Sequence, residues 1–339
     1  MANSIRVYRI LCWVGALSTA VATTGWLLGN QRLHRCMQAM AAHQCQLDPE
    51  LPSRLRDQNF EFVIRNYEFE YEGQSGDLID DNILCYGLWE KDVAFFMRDY
   101  LERRGNENAV FIDVGCNAGH HSLFLSRHVK QIHAFDPYLP AVERFRKMIA
   151  RNRFTNIIVH PVGLGAKEEE LPFFEPSTSN IGTGSFRDRG GHQTFAKSGL
   201  RIVRGDDWLD ASQVSDLELV KIDIEGFEEF ALLGLQRTLE SHRPVVIVEV
   251  TRPPGGTIAS MGQLQSLFPE GYHFLAFMAQ DTTPFTGRYL LQGFESLADA
   301  FFRDGVQVNL VGYPRERTAE VPREPRSRVR PRLGMKTES

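Results

Sequence analysis

Apolar and polar positions fall into regular patterns over the middle of the chain. The stretch FEFVIRNYEFEY, residues 60–71, alternates like a strand or hairpin arm and is broken by Gly73 and Gly76. Over residues 89–104, Val93, Phe96, Met97 and Leu101 recur at helical intervals. Short apolar runs then alternate with helical patterns. VFIDVG (110–115) precedes a helix expected from Gly119 to His128, and IHAFD (132–136) one from Ala141 to Asn152. NIIVHPVG (156–163) leads into a loop. LVKIDIEG (219–226) precedes a helix expected over Phe227 to Leu239, and PVVIVEV (244–250) one around Met261 to Phe268. HFLAFM (273–278) and VQVNLVGY (306–313) finish the series. Strands alternating with helices predict an α/β fold: a mostly parallel sheet, helices on both faces and an antiparallel edge strand.

The first residues follow another pattern. Ile10 to Leu28 contains no charged residue and is long enough to cross a bilayer as a helix, with Arg6 and Arg9 before it and Arg32 and Arg35 after it. A single-pass membrane anchor is expected. A cleaved signal ending near Ala20-Val21-Ala22 and an organellar transit segment are the alternatives. At the other end, arginines and prolines crowd residues 315–339, which reads as a disordered basic tail. The expected organisation is an anchor or signal segment over residues 1–45, an extension packing on the core over 46–105, a catalytic domain over 106–314, and the tail. The net charge of −5 gives no reason to expect a nucleic-acid partner. No C-x-x-C spacing occurs, which argues against a zinc site or disulfide scaffold.

Candidate chemistry lies at the strand ends. Interior strands should be apolar on both faces, yet Asp113, Asp136, Asp223 with Glu225, and Glu249 interrupt them near their carboxyl ends. Lone buried carboxylates are costly, so these should face the crevice where open α/β sheets bind ligands. The turn reads Asp113-x-Gly115-x-Asn117-x-Gly119 and not G-x-G-x-x-G. A pyrophosphate would be repelled by the acids around it. A ligand with hydroxyls and positive charge fits better, and S-adenosylmethionine has a ribose diol, an ammonium and a sulfonium. Asp136 would then take the ribose hydroxyls. Glu90, in YGLWE, would approach the cofactor's amino end or simply start a helix.

Taken together, FIDVGCNAGHHSL, AFDP, NIIVHPVGLG, GDDWLD, LVKIDIEGFEEFALLGL and RPVVIVEV resemble the FkbM-type methyltransferases, a branch of the class I S-adenosylmethionine-dependent enzymes. The resemblance spans about residues 80–252 and rests above all on KIDIEGFE. It implies a Rossmann-like class I methyltransferase fold and O-methylation of a hydroxyl on a sugar, glycan or small-molecule acceptor. Cys116 and the pair His120-His121 depart from it. An alcohol acceptor needs a base as it loses its proton. By strand alternation Lys221, Asp223 and Glu225 should share one face. Asp223 is expected nearest the methyl donor, and Glu225 is the candidate base or acceptor-orienting group. Asn180 and His192, in the polar loop over residues 177–195, are candidates for reaching the acceptor beneath a substrate lid. No residue is assigned to a metal. The rivals are a magnesium-assisted enzyme using Asp223, Glu225 or Glu249, a nicotinamide oxidoreductase, which lacks its motifs, and a non-catalytic binding module on the same scaffold.

Overall fold

The computed structural model describes residues 60–177, 179–187, 199–278, 287–323 and 325. Strands β1 (Glu61–Asn66) and β2 (Phe69–Gln74) form an antiparallel hairpin. The predicted alternating run is thus both arms, with the turn inside it at Tyr67 and Glu68 (φ 44° and 74°). That turn uses left-handed backbone without glycine or asparagine, so composition hid it. Helix α1 (Leu78–Tyr86) is capped by Asp77, whose carboxylate accepts the Ile79 and Asp80 N–H groups. Helix α2 (Lys91–Arg104) follows.

The main sheet then begins. β3 (Val110–Val114) leads to α3 (His120–Leu125), β4 (Gln131–Phe135) to α4 (Leu139–Asn152), and β5 (Ile157–His160) ends that half. A small three-stranded sheet intervenes, made of β6 (Gly163–Gly165), β7 (Glu169–Leu171) and β8 (Leu200–Arg204), with α5 (Gly205–Ser212) after it. The second half comprises β9 (Leu217–Ile222), α6 (Glu228–Gly234), α7 (Gln236–His242), β10 (Val245–Thr251), α8 (Met261–Ser266), β11 (Tyr272–Phe277), β12 (Leu291–Gly293), α9 (Ala298–Asp304) and β13 (Gln307–Pro314). The strand order is β12-β11-β13-β10-β9-β3-β4-β5. β10, β9, β3, β4 and β5 pair in parallel, and β13 lies antiparallel between β10 and β11. This is the predicted Rossmann-like class I methyltransferase architecture. Short β12 forms its antiparallel edge, and β13 is a second antiparallel strand inside the sheet.

Both faces are covered. Phe111, Leu219 and Ile247 belong to the core under α2 and α3, while Ile112, Val220 and Val248 belong to the core under α6 and α7. The hairpin is fastened by Arg144 of α4, which donates at 2.8 Å to the fully buried Asp80 carboxylate and to the Glu72 carbonyl.

Three expectations change. The helix foreseen over Phe227–Leu239 breaks at Leu235 (φ −110°, ψ 13°) into α6 and α7, next to Gly234, whose backbone packs directly on Gly165. The basic tail does not start at residue 315: Arg317 bonds Tyr100 and Glu218, and Val321 is buried. A buried acid awaiting a partner recruits what composition assigned to solvent. The membrane anchor is withdrawn: no helix among the described residues is long and apolar enough to cross a membrane, and Ile10–Leu28 itself lies outside the described residues.

Candidate active site

The order in which strands are added to the sheet reverses at β3, flanked by β4 on one side and β9 on the other, both parallel to it. The turn after β3 bends sharply there. Gly115 (φ 83°) lies so close to β9's end that a Cβ would come within 1.8 Å of the Asp223 carbonyl oxygen. Only glycine fits, and the reason is backbone packing rather than the ligand. The next turn residue, Asn117, also adopts left-handed backbone (φ 47°) and leaves its buried Oδ1 without a hydrogen-bond partner. Asp136, just past β4, accepts the Asn117 N–H on Oδ2 and the Tyr138 N–H on Oδ1, both at 2.9 Å. Burial pushes its carboxyl up to about 6 against those two donors.

Two connected compartments open over this turn. The larger, about 470 Å³, is lined by Glu90, Asn180, Lys221, Asp223 and Glu249 among others. The smaller, about 50 Å³, lies beside Asp136 and is walled by Tyr138, Phe173 and Phe186. Gly115, Asn117, Asp223 and Glu225 border both. Three non-glycine residues of the lining, Glu90, Asn117 and Glu225, hold left-handed backbone at φ 43°, 47° and 54°. Strain of this kind gathers where geometry is held for a ligand.

Not every expected residue faces the cavity. Asp113 is enclosed behind it, accepting the Ser122 hydroxyl at 2.6 Å, and burial raises its carboxyl to about 6. It fastens α3 to β3. Gly119 (φ 79°) also turns away, since a Cβ there would meet the Phe145 ring at 2.1 Å. The expected alternation through Lys221, Asp223 and Glu225 stops because β9 ends at Ile222. Glu225 lies in the following turn, whose backbone N–H groups at Ile224 and Gly226 are taken by the buried Glu228. Asn180 does line the cavity, but its Oδ1 caps its own turn by accepting the Gly182 N–H at 3.0 Å. The loop there is docked, with the Ile181 N–H donating to Asp77 at 2.7 Å. His192 lies outside the described residues.

A buried polar row crosses the sheet on the α2 face. Asp113 of β3 stands opposite Lys221 of β9, and Glu249 of β10 opposite Asn309 of β13. Lys221 donates to Asp223 at 2.6 Å and stands 3.7 Å from Glu90. Burial opposes its charge, but Asp223, Glu90 and Asp113 hold the ammonium protonated well above the ordinary lysine range. Glu90 also accepts from Asn309 at 2.8 Å and contacts His121 at 3.2 Å. Burial, reinforced by Asp223 and Glu90, raises the Glu249 carboxyl well above the usual carboxylate range. Burial holds His120 and His121 well below the usual imidazole range, and neighbouring Lys221 adds to this. Strand alternation put Lys221 only on a shared face with Asp223 and Glu225, and nothing in the pattern singled out Asn309. The missed signal was a polar residue at an inward position of an apolar strand.

These residues fit S-adenosylmethionine. The orphaned Asn117 Oδ1, the ring-walled compartment beside Asp136 and the carboxylates of the larger space offer acceptors and negative charge to a ligand with hydroxyls and cationic groups. A phosphate would meet those same carboxylates.

Residues 113–281 match the methyltransferase FkbM domain. A curated relative, the hexuronic acid methyltransferase AglP of Haloferax volcanii, is 28% identical over 163 residues, 48% of this chain and 62% of the relative. The match thus spans less than two thirds of that relative's length. The crystal structure of methyltransferase FkbM from Methylobacillus flagellatus KT aligns with TM-score 0.38 at 15% identity, covering 91% of this chain and 60% of that one. The S-adenosylmethionine-dependent methyltransferase of Agrobacterium tumefaciens aligns with TM-score 0.41 at 8% identity, covering 75% and 70%. Through residues 113–281 the chain belongs to the FkbM-type, class I S-adenosylmethionine-dependent methyltransferases.

Proposed function

We propose that the protein transfers the methyl group of S-adenosylmethionine to a hydroxyl of a sugar or glycan. The observation that carries this reading is the meeting of two compartments at Gly115, Asn117, Asp223 and Glu225. In it, Asp136 receives the ribose hydroxyls, the rings of Tyr138, Phe173 and Phe186 flank the base, and Glu90 lies toward the amino end. The acceptor enters the larger compartment. Support for a sugar comes from the relative named as a hexuronic acid methyltransferase. When bound, the cofactor supplies an electrophilic methyl carbon on a sulfonium, and in-line placement of the acceptor oxygen accounts for much of the rate.

The chain's own residues divide the remaining work. A hydroxyl that becomes an ether gives up its proton, and Glu225, at the junction of the compartments, takes it or orients the acceptor. Asp223, held by Lys221, steadies the donor. Asn180 and, from the same loop, His192 contact the acceptor. The test is turnover of a hydroxylated acceptor panel beside direct cofactor binding. Glu225→Gln should keep cofactor affinity and lower turnover by about 10²-fold or more, whereas Asp223→Asn should lower both. Full turnover in Glu225→Gln would move the base to His192.

A further inference from the structure

Asp223, Glu249 and Asn309 stand near the ends of neighbouring strands, and Glu90 reaches them from the start of α2. One carboxylate oxygen each from Glu90, Asp223 and Glu249 lie within 4.8 Å of one another. Proximity alone is not a site, because an ammonium can hold acids together, and Lys221 does so for Asp223 and Glu90. Three carboxylates face that single ammonium, so full ionisation leaves two negative charges over.

Glu249 supplies the second observation. It is only 8% exposed and lines the cavity, yet its buried Oε2 has no hydrogen-bond partner. Asn309 sits opposite it across the β10–β13 pair. The Asn309 amide nitrogen is spent on Glu90, and its Oδ1 is also without a partner. A carboxyl oxygen and an amide carbonyl oxygen on paired strands are thus both left without a partner, and buried polar atoms normally find a hydrogen bond or an ion. The cavity lining as a whole carries Glu90, Asp92, Asp223, Glu225 and Glu249 against Lys221, its one lysine or arginine among the described residues. An anionic acceptor would be repelled there unless a cation came with it.

We propose that Glu90, Asp223, Glu249 and the side-chain carbonyl of Asn309 hold a divalent cation in the larger compartment of the cleft. An all-oxygen ligand set suits a hard ion of the magnesium, calcium or manganese type, with water or an acceptor hydroxyl completing its shell. The role given to the ion rests on the function proposed above; the existence of the site does not.

The test is titration of the full chain with Mn²⁺, followed by loss of the free-ion electron paramagnetic resonance signal, without methyl donor or acceptor. The expected result is saturable binding of one ion per chain that Mg²⁺ or Ca²⁺ displaces. Glu249→Gln keeps the side chain's size, removes the carboxylate ligand, and should bind Mn²⁺ about tenfold more weakly or worse. Its melting temperature without metal should not fall below that of the wild type. Asn309→Ala leaves every charge in place and should weaken binding several-fold. No binding by the wild type up to about millimolar Mn²⁺, or equal binding by the wild type and both variants, overturns the site. Methyl transfer by protein that binds no Mn²⁺ would overturn the ion and leave the proposed function intact. Mn²⁺ binding by protein that transfers no methyl group would keep the site and sink that function.

Discussion

Asp136→Asn removes one oxygen from a place where two backbone donors converge. The Asn117 and Tyr138 N–H groups each reach a different carboxylate oxygen at 2.9 Å. An asparagine can satisfy one of them and must turn its NH₂ toward the other. The charge that would strengthen hydrogen bonds from the cofactor's ribose is lost as well. A hydrogen bond to a charged group contributes about 1.5–3 kcal/mol, so the dissociation constant should rise about 10- to 150-fold. The pH profile gives an independent check. Burial raises the Asp136 carboxyl to about 6, and the ionised form is the one that accepts both hydroxyls. Wild-type affinity should be full above that pH and fall as pH drops through it, by at most about tenfold per unit. The variant should lose this dependence. Titration calorimetry with S-adenosylmethionine across mildly acidic to neutral pH reads both effects. Wild-type affinity in a folded Asp136→Asn protein, or an unchanged profile, would refute the assignment.

Other perturbations separate packing from binding. Gly115→Ala should destabilise the fold by about 2–5 kcal/mol, from left-handed strain and from collision with the Asp223 carbonyl. Gly105→Ala, also left-handed but with nothing within 4 Å, should cost only the strain, about 1–2 kcal/mol. Equal melting temperatures for the two variants would contradict this. Lys221→Met leaves Asp223 and Glu90 without their ammonium and should cost about 3–5 kcal/mol in denaturant unfolding; an unchanged midpoint would deny the buried pairing. Asp113 has a raised folded pKa of about 6, so its stabilising share is complete at acid pH below the unfolded value and is lost as pH rises through about 6. Asp113→Asn should therefore gain on the wild type between pH 4 and pH 8, by up to about 3 kcal/mol. A constant difference would show that Asp113 does not titrate with folding.

The sheet was legible because its strands are nearly uninterrupted apolar runs, which only a two-sided core explains. The interruptions pointed to the cleft correctly at Asp136, Asp223, Glu225 and Glu249, all of which border it. They misled at Asp113, since a strand-end carboxylate can equally face a helix and take a hydroxyl there. Gly119 misled for a similar reason: left-handed backbone is needed for packing on Phe145 as well as for ligand approach. Glu90 was legible as a contact to the cofactor's amino end or as a helix start, but its contacts with Lys221, His121 and Asn309 join segments distant in sequence, which no local pattern encodes. The turn at Tyr67-Glu68 was invisible because tertiary packing, not turn composition, holds it: Tyr67 stacks edge-on against Phe95 and Phe124.

The most direct test of the account supplies S-adenosylmethionine labelled in its methyl group with a panel of neutral sugars, hexuronic acids and glycosides. The products are then mapped by mass spectrometry and nuclear magnetic resonance. The account predicts label on an acceptor oxygen, lost in Glu225→Gln while cofactor binding persists. Label on nitrogen or carbon, or cofactor binding with no label reaching any hydroxylated acceptor, would contradict it.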